Sequence, residues 1–573
     1  MSDMIPSHIT RRHFALMGAL GLGAAACSSA EGPPAEVTTE ARIAAAEELL
    51  GVEFTEAERA QMREGLEGGR ETLKALRDFE KSNGLAPATV FDPRLPGVVY
   101  PNVAISETSI AGVDRAIPNE AADIAFASVE TQASMLASGE LTSERLTQIY
   151  LDRIARYGND LECFVTVTPE LAMEQAIKAD TRRAAGESGP LLGIPYAAKD
   201  LFDTAGIKTT YGAEPFKDRV ATEDAWVVEQ LREAGAVLLG KTTLGALAYG
   251  DIWFGGRTNN PWNPLEGSSG SSAGSASAVA AGLCAFALGT ETLGSLVSPS
   301  TRCGTATLRP TFGNVPKSGA MALCWSMDKI GPIVRHVGDA DYIMPTLVGT
   351  DPADPSSIGT AYGAPTQGRL RVGFEPAWFE GADAAQLAAL EAMRDIADVV
   401  EVEGSVPTDL PLGALAYILV AEAAAAFEML TLDGRDDTLT WQDDAAWPNT
   451  FRGARFISGI DLIQAQRIRR LAMEHMHRTF AGVDALISPP YAGGLLQVTN
   501  YTGQPCTTIR AGFTEAATRT LFDDSADAAA DMFRVPTSIC LWGGLFRDAD
   551  LVRLSSQLEA ALGVAAERPS GFA

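Results

Sequence analysis

Two stretches rich in glycine and serine flank an apolar segment in the middle of the chain. Residues 267–282 read GSSGSSAGSASAVAAG, and residues 288–300 read LGTETLGSLVSPS. Small residues let backbone N–H groups approach a ligand atom closely. A flexible linker is a poor interpretation, because residues 278–288 between the two loops are strongly apolar and must be buried. The pattern therefore predicts two backbone loops that flank a helix and a strand of a buried core.

Apolar runs and helical patterns alternate on both sides of these loops. Buried strands are predicted at 236–239, 284–288, 370–374 and 485–488, and helices at 223–234, 275–282, 384–397 and 461–480. A further helix is expected to begin at Thr142, because apolar residues follow it at helical spacing. This alternation predicts an α/β fold with a large mixed or mostly parallel β-sheet between layers of helices.

The first 26 residues have the features of an export signal. Arg11 and Arg12 precede an apolar run at 15–26, which is too short to span a bilayer. Paired arginines favour the twin-arginine route. Residues 24–27, AAAC, resemble a lipoprotein cleavage box with Cys27 as the lipidated residue. We expect an exported chain, periplasmic or tethered to a membrane through Cys27; a frayed N-terminal helix is the alternative.

Residues 27–124 are predicted to form a tether and a helical N-terminal extension. Helical composition covers 41–84, with a capping box from Thr55 to Glu58 and breaks at Gly51 and at Gly65 to Gly69. Residues 85–120 contain five prolines and are expected to be an extended connection. The main domain is predicted at 125–565, and a short tail at 566–573.

The overall composition excludes several classes of function. The net charge of −28 argues against a nucleic-acid partner, because phosphate backbones are bound by clustered Lys and Arg. The seven cysteines form no CxxC pair, so neither a disulfide framework nor a zinc site is expected. Five histidines, none near the Gly/Ser loops, leave little material for a metal site or a histidine-based triad. We expect no metal and no cofactor.

Three short motifs match known functional patterns, but the sequence around each motif does not fit the structure that the pattern requires. Residues 235–242 match the phosphate-binding loop, yet their interior is itself an apolar strand. Residues 326–329 match S-x-x-K without its companion motifs. Residues 270–274 match G-x-S-x-G around Ser272, but the proline-containing segment before them is a poor central strand.

Lys199 is the candidate for a base in a site without histidine. It follows the apolar run 191–198, so we expect it to be buried. Burial lowers the pKa of a lysine, and a neutral amine can accept a proton from a serine hydroxyl. The alternative is a structural ion pair with Asp200 or Asp203.

Several motifs in a fixed order resemble the amidase signature family. They are Gly193-Ile-Pro195 with Lys199-Asp200, Gly240-Lys241-Thr242, Ser271-Ser272, Gly289-Thr290 with Gly294-Ser295, and Arg309-Pro310-Thr311. The resemblance extends over the predicted main domain. It implies amide hydrolysis by a Ser–cis-Ser–Lys triad.

The resemblance assigns a role to each of three side chains. Ser295 resembles the acylated nucleophile, Ser271 the bridging serine that follows a cis peptide bond, and Lys199 the base. The implied oxyanion hole consists of four backbone N–H groups: those of Thr292, Leu293, Gly294 and Ser295. Ser272, Tyr249 and Trp253 are predicted to contact the substrate, with aromatic core packing as the alternative for Tyr249 and Trp253.

The chain also departs from the family pattern. Leu293 stands where the family usually has Gly or Asp, which puts the acyl pocket in question, and Arg309 replaces a usual Lys. Leu296-Val297 resembles the peptide-amidase-like branch.

The resemblance and the N-terminal export features together predict an exported amidase that acts on a small-molecule amide, with carbamates and esters as side substrates. Two alternatives stay open. One is the glutaminase (A) subunit of an aminoacyl-tRNA amidotransferase, and the other is a non-catalytic binding lipoprotein on the same scaffold. The oligomeric state, a dimer included, stays open.

Overall fold

The computed structural model describes residues 39–79, 81–101, 118–359, 362–519 and 531–572. The predicted export signal and Cys27 lie outside these residues. The chain divides into two compact units, Met1–Ser82 with Phe456–Ser458, and Asn83–Arg455 with Gly459–Ala573. In the part of the chain that is described, no helix combines the length and apolarity needed to cross a bilayer.

The first unit contains two helices, α1 (Glu40–Leu50) and α2 (Glu56–Asp78). Gly51 ends α1 in the left-handed conformation, with a φ of 65°. Thr55 and Glu58 form the predicted capping box at the start of α2. The predicted break at Gly65 to Gly69 is wrong, because α2 continues through these glycines. A glycine inside a helix costs only about 1 kcal/mol relative to alanine, and a capped helix of 23 residues tolerates that cost.

The second unit is an α/β domain. Its helices are α3 (Ala121–Phe126), α4 (Val129–Ser138), α5 (Ser143–Leu161), α6 (Pro169–Ala184), α7 (Trp226–Glu233), α8 (Ala273–Ala280), α9 (Val297–Cys303), α10 (Ala340–Leu347), α11 (Ala384–Ile396), α12 (Ala416–Ala426), α13 (Glu428–Leu432), α14 (Trp447–Ala454), α15 (Gly459–Gly482), α16 (Leu495–Thr502) and α17 (Asp548–Leu562). Its strands are β1 (Phe164–Val167), β2 (Pro195–Lys199), β3 (Val237–Thr242), β4 (Ile252–Trp253), β5 (Gly256–Arg257), β6 (Asn259–Asn260), β7 (Asn263–Gly267), β8 (Phe286–Glu291), β9 (Ala306–Arg309), β10 (Lys329–Val334), β11 (Arg371–Phe374), β12 (Asp398–Glu401), β13 (Ala485–Ser488), β14 (Cys506–Ala517) and β15 (Met532–Gly543).

Eleven of these strands form one mixed sheet, in the order β1-β3-β2-β8-β10-β9-β14-β15-β13-β11-β12. Strand β2 is parallel to both of its neighbours, β3 and β8. Strand β11 is parallel to β12 and β13, and the other pairs are antiparallel. Helices flank this sheet, so the predicted α/β fold is confirmed.

The sheet brings the two Gly/Ser loops to one edge. Lys199 is the last residue of β2, and the neighbouring parallel strand β8 ends at Glu291. Parallel neighbours have their carboxyl ends at the same edge of a sheet, so the loop at 292–296 starts close to Lys199. Helix α8 begins directly after Ser272. The serine pair and this loop therefore approach the lysine from two different segments.

Candidate active site

Lys199 is completely buried and is surrounded by hydroxyl groups. Its Nζ donates hydrogen bonds to Ser271 Oγ at 2.9 Å, to Ser272 Oγ at 3.1 Å and to Thr290 Oγ1 at 2.9 Å. All three partners are neutral. The amine therefore lies among groups that can exchange protons with it and that do not hold it in its charged form.

Burial lowers the pKa of Lys199 well below its usual value. The negative charges of Asp328 and Glu291 oppose this effect without cancelling it. A neutral lysine can accept a proton from a hydroxyl group. The environment of Lys199 therefore suits a general base.

The alternative interpretation of Lys199 as an ion-pair partner does not agree with the contacts. Asp200 pairs with Lys241, at 3.5 Å between Oδ1 and Nζ. Asp203 pairs with Arg219 at 2.7 Å. Both carboxylates thus have other cationic partners.

Ser271 begins the segment that faces Lys199. The peptide bond between Gly270 and Ser271 is cis, the configuration that the resemblance implies at this position. A Cβ on Gly270 would lie 1.8 Å from the carbonyl oxygen of Gly250, so only glycine fits there. The backbone N–H of Ser272 donates to the carbonyl oxygen of Ser295 at 3.2 Å. This hydrogen bond joins the serine pair to the loop that carries the predicted nucleophile.

Ser295 is half-buried, two residues before helix α9. In the described part of the chain, no hydrogen bond joins its hydroxyl to that of Ser271. Catalytic hydrogen bonds are often long without substrate and tighten when it binds. The catalytic roles of Lys199, Ser271 and Ser295 stay predictions, and the geometry brings together the segments that carry all three.

The four residues 292–295, which we call the oxyanion loop, present free backbone donors. Among the described residues, none accepts a hydrogen bond from the backbone N–H groups of Thr292, Leu293, Gly294 or Ser295. Gly294 has a φ of 92°, which a glycine adopts without strain. The side chain of Leu293 is 39% exposed, so it points away from the core. Unpaired N–H groups in this arrangement can stabilise a negatively charged oxygen.

Glu291 holds the end of the oxyanion loop that leads into α9. The sequence analysis did not predict this role. Its carboxylate accepts the N–H groups of Leu296 at 2.8 Å and Val297 at 3.0 Å. It also pairs with Arg309 at 2.7 Å and accepts from Asn500 at 2.7 Å. Burial alone would raise the pKa of Glu291, but Arg309 and the hydrogen bonds hold it at about 2. Arg309 itself was the available signal, because a buried guanidinium requires an anionic partner.

Asp328 contacts the oxyanion loop from a second side. Its carboxylate accepts a hydrogen bond from Thr292 Oγ1 at 2.5 Å. It also accepts the N–H groups of Leu323 at 2.9 Å and Cys324 at 3.0 Å. Asp328 therefore connects the loop to the segment 321–328.

The residues predicted to contact the substrate lie elsewhere. Ser272 is fully buried, and its hydroxyl contacts Lys199 and the backbone of Thr290, so it supports the lysine and does not face a cavity. Tyr249 packs on Trp441 and Trp447, with ring centroids at 5.0 and 5.1 Å. Trp253 is only 9% exposed and packs on the neighbouring aromatic ring at 254. Core packing, the alternative for Tyr249 and Trp253, describes their contacts better.

A cavity of about 520 Å³, which we call the main cavity, opens beside the oxyanion loop. Thr290, Thr292 and Asp328 line it near the loop, and Met321 and Trp325 are among its apolar lining residues. It is the candidate substrate site because Thr292, one of the four predicted oxyanion donors, lines it. Ser271 and Ser295 are not among the described residues that line it.

The segment 84–91 forms one wall of the main cavity. Asn83 anchors it through two hydrogen bonds to the backbone of Ala322, at 2.7 and 2.8 Å. Phe91 packs on Phe312 with ring centroids at 5.2 Å. Sequence reasoning assigned no role to this connection, and its contacts make it part of the candidate substrate site.

Comparison with known proteins identifies the relatives of this chain. The model of the family described as Amidase matches residues 145–551. The glutamyl-tRNA(Gln) amidotransferase (A) subunit of Thioalkalivibrio sulfidiphilus (strain HL-EbGR7) is 31% identical over 475 residues, which cover 77% of this chain and 98% of the relative. The corresponding protein of Methylobacillus flagellatus is 38% identical over 322 residues, 54% of this chain and only 65% of the relative.

The fold has solved relatives as well. The structure of native peptide amidase from Stenotrophomonas maltophilia superposes with a TM-score of 0.64 at 27% identity, over 78% of this chain and 98% of that protein. The family match contains Lys199, Ser271 and Ser295. This chain therefore belongs to the amidase family and is an enzyme that acts on C–N amide bonds.

Proposed function

We propose that this enzyme hydrolyses a small-molecule amide through an acyl-enzyme on Ser295. The observation that carries the proposal is the contact between Lys199 and Ser271, in which a buried amine with neutral partners lies 2.9 Å from a serine hydroxyl. The free N–H groups of the oxyanion loop support the same reaction.

The first half of the reaction forms the acyl-enzyme. Neutral Lys199 accepts the proton of Ser271, and Ser271 accepts that of Ser295. The Ser295 oxygen attacks the carbonyl carbon, and the oxyanion loop stabilises the negative oxygen. The proton returns along the relay to the nitrogen of the breaking C–N bond, and the amine leaves.

The second half regenerates the enzyme. Water loses a proton to the same relay and attacks the acyl-enzyme carbonyl. The ester bond to Ser295 breaks, the acid leaves and the serine recovers its proton. Every proton in this sequence is carried by the relay, the substrate or water.

Trapping the acyl group tests this proposal. The purified full chain is incubated with a primary amide and hydroxylamine, and the hydroxamate is measured. An acyl-enzyme predicts hydroxamate formation at the expense of the free acid, and Ser295→Ala should form neither product. Hydroxamate production by Ser295→Ala at the wild-type rate would exclude Ser295 as the nucleophile.

The glutaminase (A) subunit of an aminoacyl-tRNA amidotransferase is the second candidate, and the curated relatives favour it. One of them, the glutamyl-tRNA(Gln) amidotransferase protein of Thioalkalivibrio sulfidiphilus, aligns over 98% of its own length. This candidate predicts ammonia release from glutamine that depends on the remaining amidotransferase subunits. Amide hydrolysis by the chain alone, with no response to those subunits, would favour the stand-alone amidase.

Export separates the two candidates, and we propose that the chain is exported. Arg11, Arg12 and the apolar run 15–26 support the proposal, and Cys27 is the expected lipidation site. Cell fractionation should find the wild type outside the cytoplasm and the variant with both arginines changed to lysine inside it. Cys27→Ala should release the exported protein from the membrane fraction. Equal cytoplasmic amounts of all three proteins would contradict export.

A further inference from the structure

The main cavity has a strongly unequal charge distribution. Its lining contains eight carboxylate side chains and a single lysine, Lys317. That lysine is engaged: its Nζ lies 3.5 Å from Asp354 and 4.7 Å from the centroid of the Phe312 ring. The described lining therefore offers a ligand no free cation.

Several of the lining carboxylates already have cationic partners in the protein. The pairs are Asp203–Arg219 at 2.7 Å, Asp224–Arg232 at 3.3 Å and Asp354–Lys317 at 3.5 Å. A carboxylate that is already paired with a protein cation has less negative charge to offer a ligand.

Three other lining carboxylates accept hydrogen bonds only from neutral donors. Asp351 accepts from the hydroxyl of Ser318 and from the backbone N–H of Ala353 at 2.9 Å. Asp328 accepts from the hydroxyl of Thr292 and from two backbone N–H groups. Glu422 accepts the N–H of Ser326 at 3.0 Å, its hydroxyl at 2.6 Å and the thiol of Cys324 at 3.3 Å. None of the three forms a direct ion pair with a described residue. The guanidinium of Arg469 reaches Glu422 only through the Ser326 hydroxyl, to which it donates at 3.0 Å. Asp328 is committed to the oxyanion loop. Glu422 is half-buried and contacts Cys324 and Ser326, which flank Trp325 of the cavity wall and lie close to Asp328, so we take Glu422 as the carboxylate that meets a ligand.

The wall near Glu422 suits a charged group on an apolar stem. Met321 and Trp325 line the same cavity as Glu422 and Thr292, the first residue of the oxyanion loop. Apolar lining accepts the methylene stem of a lysine-like or arginine-like side chain. A carboxylate without a direct ion pair in the protein gains a charge-assisted hydrogen bond from an ammonium or guanidinium group.

We propose that the substrate is an amide whose distal end carries a cationic group, and that Glu422 recognises this group. The inference rests on the proposed function, because it assumes that the main cavity holds the amide. The scissile carbonyl lies at the oxyanion loop, the apolar stem lies along the wall, and the ammonium or guanidinium group meets the Glu422 carboxylate. An amide with a distal carboxylate would place a second negative charge beside Glu422, so we expect it to bind poorly.

Ammonia release from three matched amides tests the proposal with the full-length chain. The substrates are N-acetyl-lysinamide, its neutral counterpart N-acetyl-norleucinamide, and the α-amide of N-acetyl-glutamate. In the wild type, kcat/KM should be higher for the lysine amide than for the norleucine amide by at least about tenfold. The glutamate amide should be the poorest substrate. Equal values for the lysine and norleucine amides would overturn the proposal.

Glu422→Gln locates the effect. This near-isosteric change should reduce the preference for the lysine amide over the norleucine amide to less than about threefold. Glu391→Gln is the matched control, because its carboxylate is 79% exposed on α11, outside the main cavity. It should keep the full preference. If Glu422→Gln folds poorly, the wild type is tested at rising NaCl concentration instead. Salt should weaken its preference for the lysine amide, and a preference that salt does not change would overturn the proposal.

Binding measurements separate this inference from the proposed function. If none of the three amides releases ammonia, the proposed hydrolysis of such amides fails, and calorimetry with n-hexylammonium, 1-hexanol and hexanoate still decides the charge preference. The inference expects n-hexylammonium to bind the wild type most tightly and to lose that advantage in Glu422→Gln. Equal binding of the three probes would overturn it.

Discussion

Lys199 Nζ lies 2.9 Å from Ser271 Oγ. Asp200 and Asp203, which follow Lys199 closely in the sequence, pair with other cations and not with this amine. A buried lysine without an anionic partner is costly in its charged form. This cost favours the neutral amine, which is the form that accepts a proton in the proposed reaction.

Activity should fall at acid pH as Lys199 becomes protonated. Burial lowers the pKa of this amine in the folded protein, so the active neutral form persists to lower pH than for an exposed lysine. Below the lowered pKa the base is occupied, and kcat/KM should decrease about tenfold per pH unit. A profile of kcat/KM from about pH 5 to about pH 9 checks this, and a flat profile would count against the lysine base.

Lys199→Met should abolish hydrolysis while the fold persists. The thioether has a volume similar to that of the lysine stem and carries no charge to bury. The loss of a proton-relay base should reduce kcat by roughly a hundredfold to ten-thousandfold. Thermal unfolding provides the control, because a lower Tm would point to a packing role for the amine.

Ser295→Ala should reduce acyl transfer by at least about a thousandfold, leaving what the oxyanion loop and binding alone supply. Ser298→Ala is the matched control, since Ser298 lies in α9 and its hydroxyl contacts Ser269 and Tyr491. Rates for a chromogenic anilide measure both variants. Similar losses in the two would show that the loop, and not the nucleophile, had been disturbed.

Thr290→Val should move the acid limb of the pH profile to lower pH. The Thr290 hydroxyl accepts a hydrogen bond from Lys199 at 2.9 Å, and an acceptor favours the protonated amine. Without it the pKa of Lys199 should fall further, while kcat drops by up to about tenfold because the amine loses one positioning contact. An acid limb at its wild-type position would show that Thr290 does not influence the base.

Glu291→Gln should lower the free energy of unfolding by about 3–5 kcal/mol, because it leaves the buried guanidinium of Arg309 unpaired. The pKa of Glu291 is lowered from 4.5 to about 2 in the folded protein. The carboxylate therefore contributes stability that is fully present above pH 4.5 and is lost as the pH falls toward 2. Urea unfolding across this range should show that loss in the wild type and not in Glu291→Gln.

Arg309→Lys is the companion variant. Lysine keeps the positive charge opposite Glu291. It loses the hydrogen bonds that Arg309 Nη2 donates to the Thr499 hydroxyl and to the Gln504 carbonyl oxygen. Its destabilisation should be smaller than that of Glu291→Gln. A larger loss would mean that guanidinium geometry, and not charge, dominates at this site.

Local patterns predict the presence of strands well and their ends less well. The strand predicted at 485–488 is β13 without change, whereas the one predicted at 236–239 continues to Thr242. The apolar run ends before Lys241, yet Lys241 is buried because the Phe202 carbonyl oxygen accepts from it at 2.6 Å and Asp200 lies at 3.5 Å. Those partners are distant in sequence, so the periodicity could not reveal them.

The same limit applies to the candidate site. The resemblance to the amidase signature family suggested Lys199, Ser271 and Ser295, whose catalytic roles stay predictions. It did not reveal Glu291 and Asp328 as supports of the oxyanion loop, because their contacts depend on how separate strands meet. The aromatic residues chosen for the substrate pocket were adjacent in sequence to a motif, and adjacency along the chain does not place a side chain in a cavity.

One wall of the main cavity is formed by residues 84–91, and the family match begins only at residue 145. The predicted catalytic residues and one wall of the candidate substrate site are therefore encoded in separate portions of the gene. Substitution or exchange of the short N-terminal segment offers a route to new substrates without touching the reaction centre. Two enzymes of this family with the same catalytic residues could therefore differ in substrate preference through substitutions in this segment alone.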